Sequence, residues 1–185
     1  MTGKSVWRIA LAAVLVAAAL LGFSILRPTP TSPPMTNFIL KSSAFREGGA
    51  IPVKHTCDGD DVNPFLEIKN APEGTVSFAL IVDDPDAPRS AWVHWLVWNI
   101  SPKTQYFSED HLPDDAVQGK TSFGHAKYGG PCPPRGDQPH HYVFTLYALD
   151  AMLGLPAGAD KAALLAAMEG HILGQTVLTG MYQRK

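Results

Sequence analysis

Short apolar runs separated by turn residues recur along the chain from residue 38 to residue 150. Three of these runs, at residues 76–82, 94–100 and 142–149, have the length and the β-branched or aromatic content of buried strands. Regular short strands without intervening helices predict a mainly β domain, an antiparallel Greek-key β-sandwich with few helices. Three tryptophans in and beside the second run are expected to pack in its core: Trp92, Trp95 and Trp98.

One segment near the end of the chain has the pattern of a helix. Between residues 160 and 173, apolar residues recur on one face at helical spacing: Leu164, Leu165, Met168 and Ile172. Asp160 is a suitable N-cap and Gly174 a suitable end, so a helix is predicted at residues 160–173. Residues 175–182 then form a last strand.

The first 36 residues differ from the rest of the chain. Lys4 and Arg8 precede an uncharged apolar run at residues 9–26, which as a helix would span roughly 27 Å, close to the thickness of a bilayer core. The basic residues lie before this run, so the body should be exported to the extracytoplasmic side, the periplasm in a bacterium. Residues 1–26 are thus predicted to be an apolar helix acting as a signal-anchor or a cleaved signal peptide, and residues 27–36 a Pro-rich linker.

The remaining residues, 37–185, suit a single domain with its own core. Three of the 15 Lys and Arg residues lie in the first 36 positions, which leaves 12 against 17 acidic residues in the domain. An acidic domain without a basic stripe is a poor binder of nucleic acid. No cofactor is expected, and any contact with a membrane is expected through the N-terminal segment.

Two Pro- and Gly-rich turns concentrate the titratable side chains, and each is followed by an aromatic strand. They carry two acids, three histidines and a tyrosine: Asp84, Asp86, His94, His140, His141 and Tyr142. Loops on a stiff β scaffold commonly place binding residues, so these turns predict a preformed polar pocket at strand ends. Histidines supported by a carboxylate, together with a tyrosine hydroxyl, can donate to phosphate oxygens. An ionised Asp84 would orient a histidine or accept from an ammonium group.

Catalytic alternatives stay open at this point. Two histidines and a carboxylate can hold a metal, but no His-x-x-x-His or Glu-x-x-His spacing is present, and no metal is predicted. A hydrolase would need Ser90 or Ser122 beside a histidine, yet the chain has no Gly-x-Ser-x-Gly motif. Cys132 as a nucleophile beside His140 is a further alternative.

Several motifs in register resemble the phosphatidylethanolamine-binding protein family, also called the Raf kinase inhibitor-like proteins, and most closely its bacterial and archaeal branch. The motifs are Thr56-Cys-Asp-Gly-Asp-Asp-Val-Asn-Pro64, Asp84-Pro-Asp-Ala-Pro88, His94-Trp95, Tyr128-Gly-Gly-Pro-Cys-Pro-Pro-Arg-Gly136, a run from His140 to Asp150, and Gly170-His-Ile-Leu173. The resemblance covers about residues 38–184. It implies a β-sandwich with few helices.

The resemblance also implies a ligand pocket that holds a phosphate, a phosphoryl headgroup or a similar small anion. The positions that match it are Asp84, Asp86, Trp92, His94, Gly130, Cys132, Pro133, Pro134, His140 and Tyr142. His141 should face the opposite side of its strand. The predicted function is therefore non-enzymatic binding of small phosphate-bearing anions. The alternative is a protein-interaction module that inhibits a kinase or a protease, a hydrolase is the third candidate, and homodimerisation is left open.

The chain has two cysteines, Cys57 and Cys132, and both lie in motifs that resemble the family's pocket rim. An even number of cysteines in an exported chain favours a disulfide. Two unlinked thiols remain the alternative, because the distance between them cannot be read from the sequence.

Overall fold

The computed structural model describes residues 37–185 as a mainly β fold with one α-helix in that range. The elements are β1 (Ile39–Ser42), β2 (Gly49–Ala50), β3 (Leu66–Lys69), β4 (Ser77–Asp84), β5 (Trp92–Ile100), β6 (Tyr106–Phe107), β7 (Val117–Gln118), β8 (His140–Leu149), α1 (Lys161–Met168) and β9 (Ile172–Tyr182), with a 3₁₀ turn at Val53–His55. The predicted N-terminal helix and linker lie outside the described residues. No helix within residues 37–185 is long and apolar enough to cross a membrane.

The strands form two sheets. One has three strands in the order β1-β3-β6, and the other has six in the order β2-β9-β8-β4-β5-β7. All pairings are antiparallel except that of β2 with β9, which is parallel. The larger sheet is therefore mixed, whereas the sequence predicted purely antiparallel pairing. The Greek-key connection stays a prediction.

Side chains of both sheets share one hydrophobic cluster, which includes Leu40 and Leu66 from the smaller sheet and Leu80 and Phe144 from the larger. A second cluster joins the larger sheet to the helix α1 through residues such as Trp98 and Leu164. The larger sheet is therefore apolar on both faces, which gives the long strands β4, β5 and β8 a rigid frame.

The helix α1 is shorter than predicted. Its N-cap is Asp160, as expected, and the Asp160 carboxylate accepts a hydrogen bond from the Ala163 N–H at 2.9 Å. The helix ends at Met168, and Gly170 then adopts a left-handed φ of 81°, which turns the chain back. Ile172 consequently begins β9 and is exposed, so its predicted place on a buried helix face is wrong.

Two of the three tryptophans confirm the predicted core. Trp95 and Trp98 are buried, whereas Trp92 is 39 % exposed and lies outside both hydrophobic clusters. Trp92 is the first residue of β5 and packs edge-on against Phe123. The core position predicted for Trp92 is therefore wrong, because the strand begins there at the edge of the packed layers.

Candidate functional site

The order of the strands brings the two polar turns together. Strand β4 lies between β5 and β8 and runs antiparallel to both, so the end of β4 meets the beginnings of its two neighbours. Asp84 is the last residue of β4, Trp92 the first of β5 and His140 the first of β8. Residues that are far apart in the sequence thus converge at one end of the sheet.

A β-bulge places His94 at this end. Val82 pairs with Trp95 and Asp83 pairs with Val93, so His94 is the extra residue between two consecutive pairs. Bulges of this kind re-aim a side chain and are common beside functional sites. His94 is buried at this point and packs edge-on against Tyr142 and Phe123.

A cavity of 240 Å³ opens between these strand ends. Seven of the ten predicted site residues line it: Asp84, Trp92, His94, Cys132, Pro133, Pro134 and His140. Its other lining residues are Ala87, Pro88 and Phe123, which were not predicted. Ala87 and Pro88 belong to the Asp-Pro-Asp-Ala-Pro motif and could have been inferred from it. Phe123 carries no such signal, because it reaches the cavity by packing against the rings of His94 and Trp92.

Asp84 organises one side of the cavity and is almost fully buried. Its Oδ2 atom accepts a hydrogen bond from Nδ1 of His140 at 2.8 Å, and its Oδ1 atom accepts one from the Asp86 N–H at 2.9 Å. Both carboxylate oxygens are thus engaged, and the His140 ring is held in one orientation. The Nε2 atom of His140 lies 3.6 Å from a carboxylate oxygen of Asp137. The expected role of Asp84, orienting a histidine, agrees with this geometry.

His94 occupies the other side of the cavity. Its Nδ1 atom lies 2.6 Å from the carbonyl oxygen of Gly129, and its ring meets the Tyr142 ring edge-on at 5.1 Å. Burial lowers the pKa of His94 below the ordinary histidine value, and the Gly129 carbonyl opposes this shift less strongly. The neutral imidazole is consequently the favoured form near neutral pH.

Tyr142 lies beneath the cavity rather than in its lining. Its hydroxyl is buried and makes no hydrogen bond with the described residues. Burial, and next the nearby carboxylate of Asp84, raise the pKa of Tyr142, while the backbone of Cys132 acts in the opposite direction. These two groups are close enough to influence the hydroxyl but do not satisfy it. The Tyr142 hydroxyl is thus a buried polar group beneath the cavity that does not open onto it.

Two predicted residues do not face the cavity. The Asp86 carboxylate accepts hydrogen bonds from the backbone N–H and from Nδ1 of His141, each at 2.8 Å, on an exposed surface. His141 thereby faces away from the cavity, as predicted. The Gly130 N–H donates to Oδ1 of Asp61 at 2.6 Å and is not free for a ligand.

Gly130 has a structural role instead. A Cβ atom at this position would lie 2.4 Å from the His55 carbonyl oxygen and 2.7 Å from Oδ1 of Asp61. The two loops thus approach more closely than any side chain at residue 130 would permit. Asp61 lies in the Thr56–Pro64 motif, so the sequence indicated its loop. Its hydrogen bond with Gly130 was not predicted.

The two cysteines join the same pair of loops. Their sulfur atoms are 2.09 Å apart, the distance of a disulfide, and the Cys57 N–H donates to the Pro131 carbonyl oxygen at 3.1 Å. Cys132 lines the cavity in this bonded state and is not a free thiol. This arrangement leaves no nucleophile at Cys132.

The residues of the catalytic alternatives can be located in the part of the chain that the structure describes. The Ser122 hydroxyl accepts a hydrogen bond from the Val93 N–H, and neither Ser90 nor Ser122 is hydrogen-bonded to a histidine there. Residues 37–185 contain no group of three or more His, Cys, Asp or Glu side chains arranged to hold a metal ion.

A larger groove of 740 Å³ lies near the C-terminus, with Ile51, Val53 and Met181 among its mainly apolar lining. It contains none of the predicted site residues. The smaller cavity is the better candidate, because it gathers three buried ionisable side chains, Asp84, His94 and His140.

Comparison with known proteins identifies the family. The family model described as phosphatidylethanolamine-binding protein matches residues 41–183. A UPF0098 protein of Methanothermobacter thermautotrophicus is 47 % identical over 150 residues, which cover 78 % of this chain and 98 % of that protein. A UPF0098 protein of Pyrococcus horikoshii is 45 % identical over 150 residues, 78 % of this chain and 76 % of that one.

Two crystal structures are similar to this chain. One is of a homologue of the same family from Chlamydia trachomatis, CT736, with a TM-score of 0.77 and 39 % identity, covering 81 % of this chain and 99 % of that one. The other is Escherichia coli YbcL, described as a member of the mammalian family, with a TM-score of 0.76, 35 % identity and coverage of 80 % and 99 %. The chain belongs to the phosphatidylethanolamine-binding protein family.

Proposed function

We propose that this protein binds small phosphate-bearing anions, without transforming them, in the cavity between Asp84, His94 and His140. The observation that carries the proposal is the convergence of these three buried side chains on one small cavity. Buried polar groups are normally satisfied within the protein, so a set that opens onto a cavity is suited to a polar ligand. The family name supports the same class of ligand.

The dimensions of the cavity restrict the ligand. Its 240 Å³ is smaller than the roughly 300–1,000 Å³ typical of pockets for drug-sized molecules. A phosphate group with a short substituent fits this space, whereas the acyl chains of a phospholipid do not. The exposed ring of Trp92 and the ring of Phe123 provide an apolar rim for the substituent.

A titration calorimetry experiment tests the proposal. Phosphate and phosphoethanolamine are titrated into the full-length wild-type protein, the His94→Ala variant and the His171→Ala variant. His171 is an exposed histidine paired with Asp150 outside the cavity, and serves as the matched control. We expect saturable binding by the wild type and the control, and at least about tenfold weaker binding by His94→Ala.

The same preparations separate this function from the alternatives. Absence of binding together with turnover of a chromogenic ester would contradict a binding role and support a hydrolase. An inhibitor would bind a kinase or a protease through surfaces that His94→Ala leaves intact. No specific feature of the described residues favours that alternative.

We also propose that the domain works on the extracytoplasmic side of a membrane, to which the N-terminal segment directs it. Lys4 and Arg8 before the apolar run at residues 9–26 support this orientation. Membrane fractionation and N-terminal sequencing of the mature protein distinguish a retained anchor from a cleaved signal. A soluble cytoplasmic protein with an intact N-terminus would contradict the proposal.

A further inference from the structure

The cavity offers few donors to an anion. None of the described residues that line it is Lys or Arg, and one of them, Asp84, brings a carboxylate. Three of the five residues in the loop 130–134 are prolines and have no N–H, and the Gly130 N–H already donates to Asp61. An oxyanion therefore cannot be held here chiefly by fixed cations or by a row of backbone N–H groups.

The hydrogen bond of His94 determines which of its nitrogens carries the proton. A carbonyl oxygen only accepts hydrogen bonds, so Nδ1 of His94, at 2.6 Å from the Gly129 oxygen, must be the protonated nitrogen. In the neutral imidazole, Nε2 then has a lone pair and acts as an acceptor. Within residues 37–185 the His94 ring has one hydrogen bond of normal geometry, through Nδ1, and the backbone of Gly130 also acts on the ring. Nε2 is the ring nitrogen left for a ligand in the cavity.

The groups around His94 do not supply a fixed positive charge. The carboxylates of Asp84 and Asp83, on β4, act on the His94 ring electrostatically, and the Tyr142 ring packs against it from β8. Trp92, on its own strand, and Phe123 contribute aromatic surface. The other histidine among the described lining residues, His140, is hydrogen-bonded to Asp84 and lies close to Asp137. Burial also lowers the pKa of His94, which keeps Nε2 an acceptor at neutral pH.

From this geometry we infer that the cavity selects oxyanions that carry their own proton, such as hydrogen phosphate, over fully deprotonated oxyanions of the same size, such as sulfate. The phosphate P–OH group donates to Nε2 of His94, while the ring of His140 borders the same cavity. Sulfate has no proton to donate and would place a bare oxygen against the Nε2 lone pair beside Asp84. This inference rests on the proposed binding function and specifies its ligand class.

The experiment compares phosphate and sulfate in calorimetric titrations of the full-length protein. At about pH 8, above the ordinary histidine pKa of about 6.5, we expect phosphate to bind at least about tenfold more tightly than sulfate. As the pH falls well below that value, sulfate affinity should rise more steeply than phosphate affinity. Protonated His94 then donates to either anion, so the ratio of the two affinities shrinks.

The His94→Asn variant assigns the effect to Nε2. The Asn amide can replace Nδ1 as the donor to Gly129 but has no atom at the position of Nε2. We expect the preference for phosphate to fall about tenfold in this variant and to persist in His141→Asn, whose histidine faces away from the cavity. Thermal unfolding of both variants verifies that they are folded.

Each outcome is informative. Equal binding of phosphate and sulfate by the wild type at about pH 8 would overturn the inference but leave anion binding in place. A preference that His94→Asn retains would overturn the role of His94. Binding of neither anion would overturn the proposed function itself. The wild-type pH dependence stands as an independent test if the variant does not fold.

Discussion

Replacing Tyr142 by Phe should stabilise the protein. The Tyr142 side chain is 1 % exposed and its hydroxyl has no hydrogen-bond partner among the described residues. A buried polar group without a partner costs about 1–3 kcal/mol. The Tyr142→Phe variant removes that cost and keeps the ring packing against His94, so the free energy of unfolding should rise by about 1 kcal/mol or more.

Tyr128 provides a matched control in the same region of the protein. It is also a buried tyrosine, but its hydroxyl donates to the His55 carbonyl oxygen at 2.9 Å. The Tyr128→Phe variant loses this bond and should be destabilised by about 1–2 kcal/mol. The same chemical change is therefore expected to have opposite signs at Tyr142 and at Tyr128.

Urea unfolding of the wild type and both variants measures these differences directly. In thermal unfolding, a change of 1 kcal/mol corresponds to roughly 2–4 °C for a domain of this size. Destabilisation of Tyr142→Phe by as much as Tyr128→Phe would show that the Tyr142 hydroxyl is satisfied and refute the reasoning.

Three further predictions concern the loops and the acid stability of the domain. Gly130→Ala should lower the free energy of unfolding in urea by about 2 kcal/mol or more, since its Cβ would lie 2.4 Å from a backbone oxygen. Gly154→Ala has open space around it and should cost little, so equal costs would contradict the close approach at Gly130. The backbone N–H and the side chain of His141 lower the pKa of Asp86. The contribution of Asp86 to stability is therefore present above about pH 4 and is lost as the pH falls through its folded-state pKa. Asp86→Asn should lose less stability than the wild type between about pH 7 and about pH 3, and an equal loss would contradict this role of Asp86. Thiol labelling of denatured, unreduced protein from its native compartment should find Cys57 and Cys132 unreactive until reductant is added, and two reactive thiols before reduction would rule out the bridge.

The predicted strands follow from local sequence patterns, and the structure confirms them. Residues 77–82, 94–100 and 142–149 all lie within strands, and only residue 76 of the predicted runs lies outside one. Apolar β-branched and aromatic runs bounded by turns are typical of buried strands. The ends differ by a few residues. Strand β8 begins at His140 and strand β5 at Trp92, where pairing with β4 continues past the apolar residues.

The errors arise where tertiary contacts override local patterns. Ile172 fits the apolar face of a helix, but Gly170 ends the turn after α1 and Ile172 pairs with Leu149 in the sheet. The bulge at His94 and the position of Phe123 depend on how the strands meet, which hydrophobic periodicity does not encode. In the same way, the sequence predicted that Gly130 lies in the pocket loop, but it did not predict that the Gly130 N–H donates a hydrogen bond to the Asp61 carboxylate.

The central claim is that phosphate binds between His94 and His140. Its most direct test is a phosphate titration of ¹⁵N-histidine-labelled protein, in which the imidazole nitrogen resonances of each histidine are followed by NMR. The account predicts that the Nε2 resonances of His94 and His140 shift with one saturating curve, while those of exposed His171 stay constant. Unchanged resonances of His94 and His140 at saturating phosphate would contradict it.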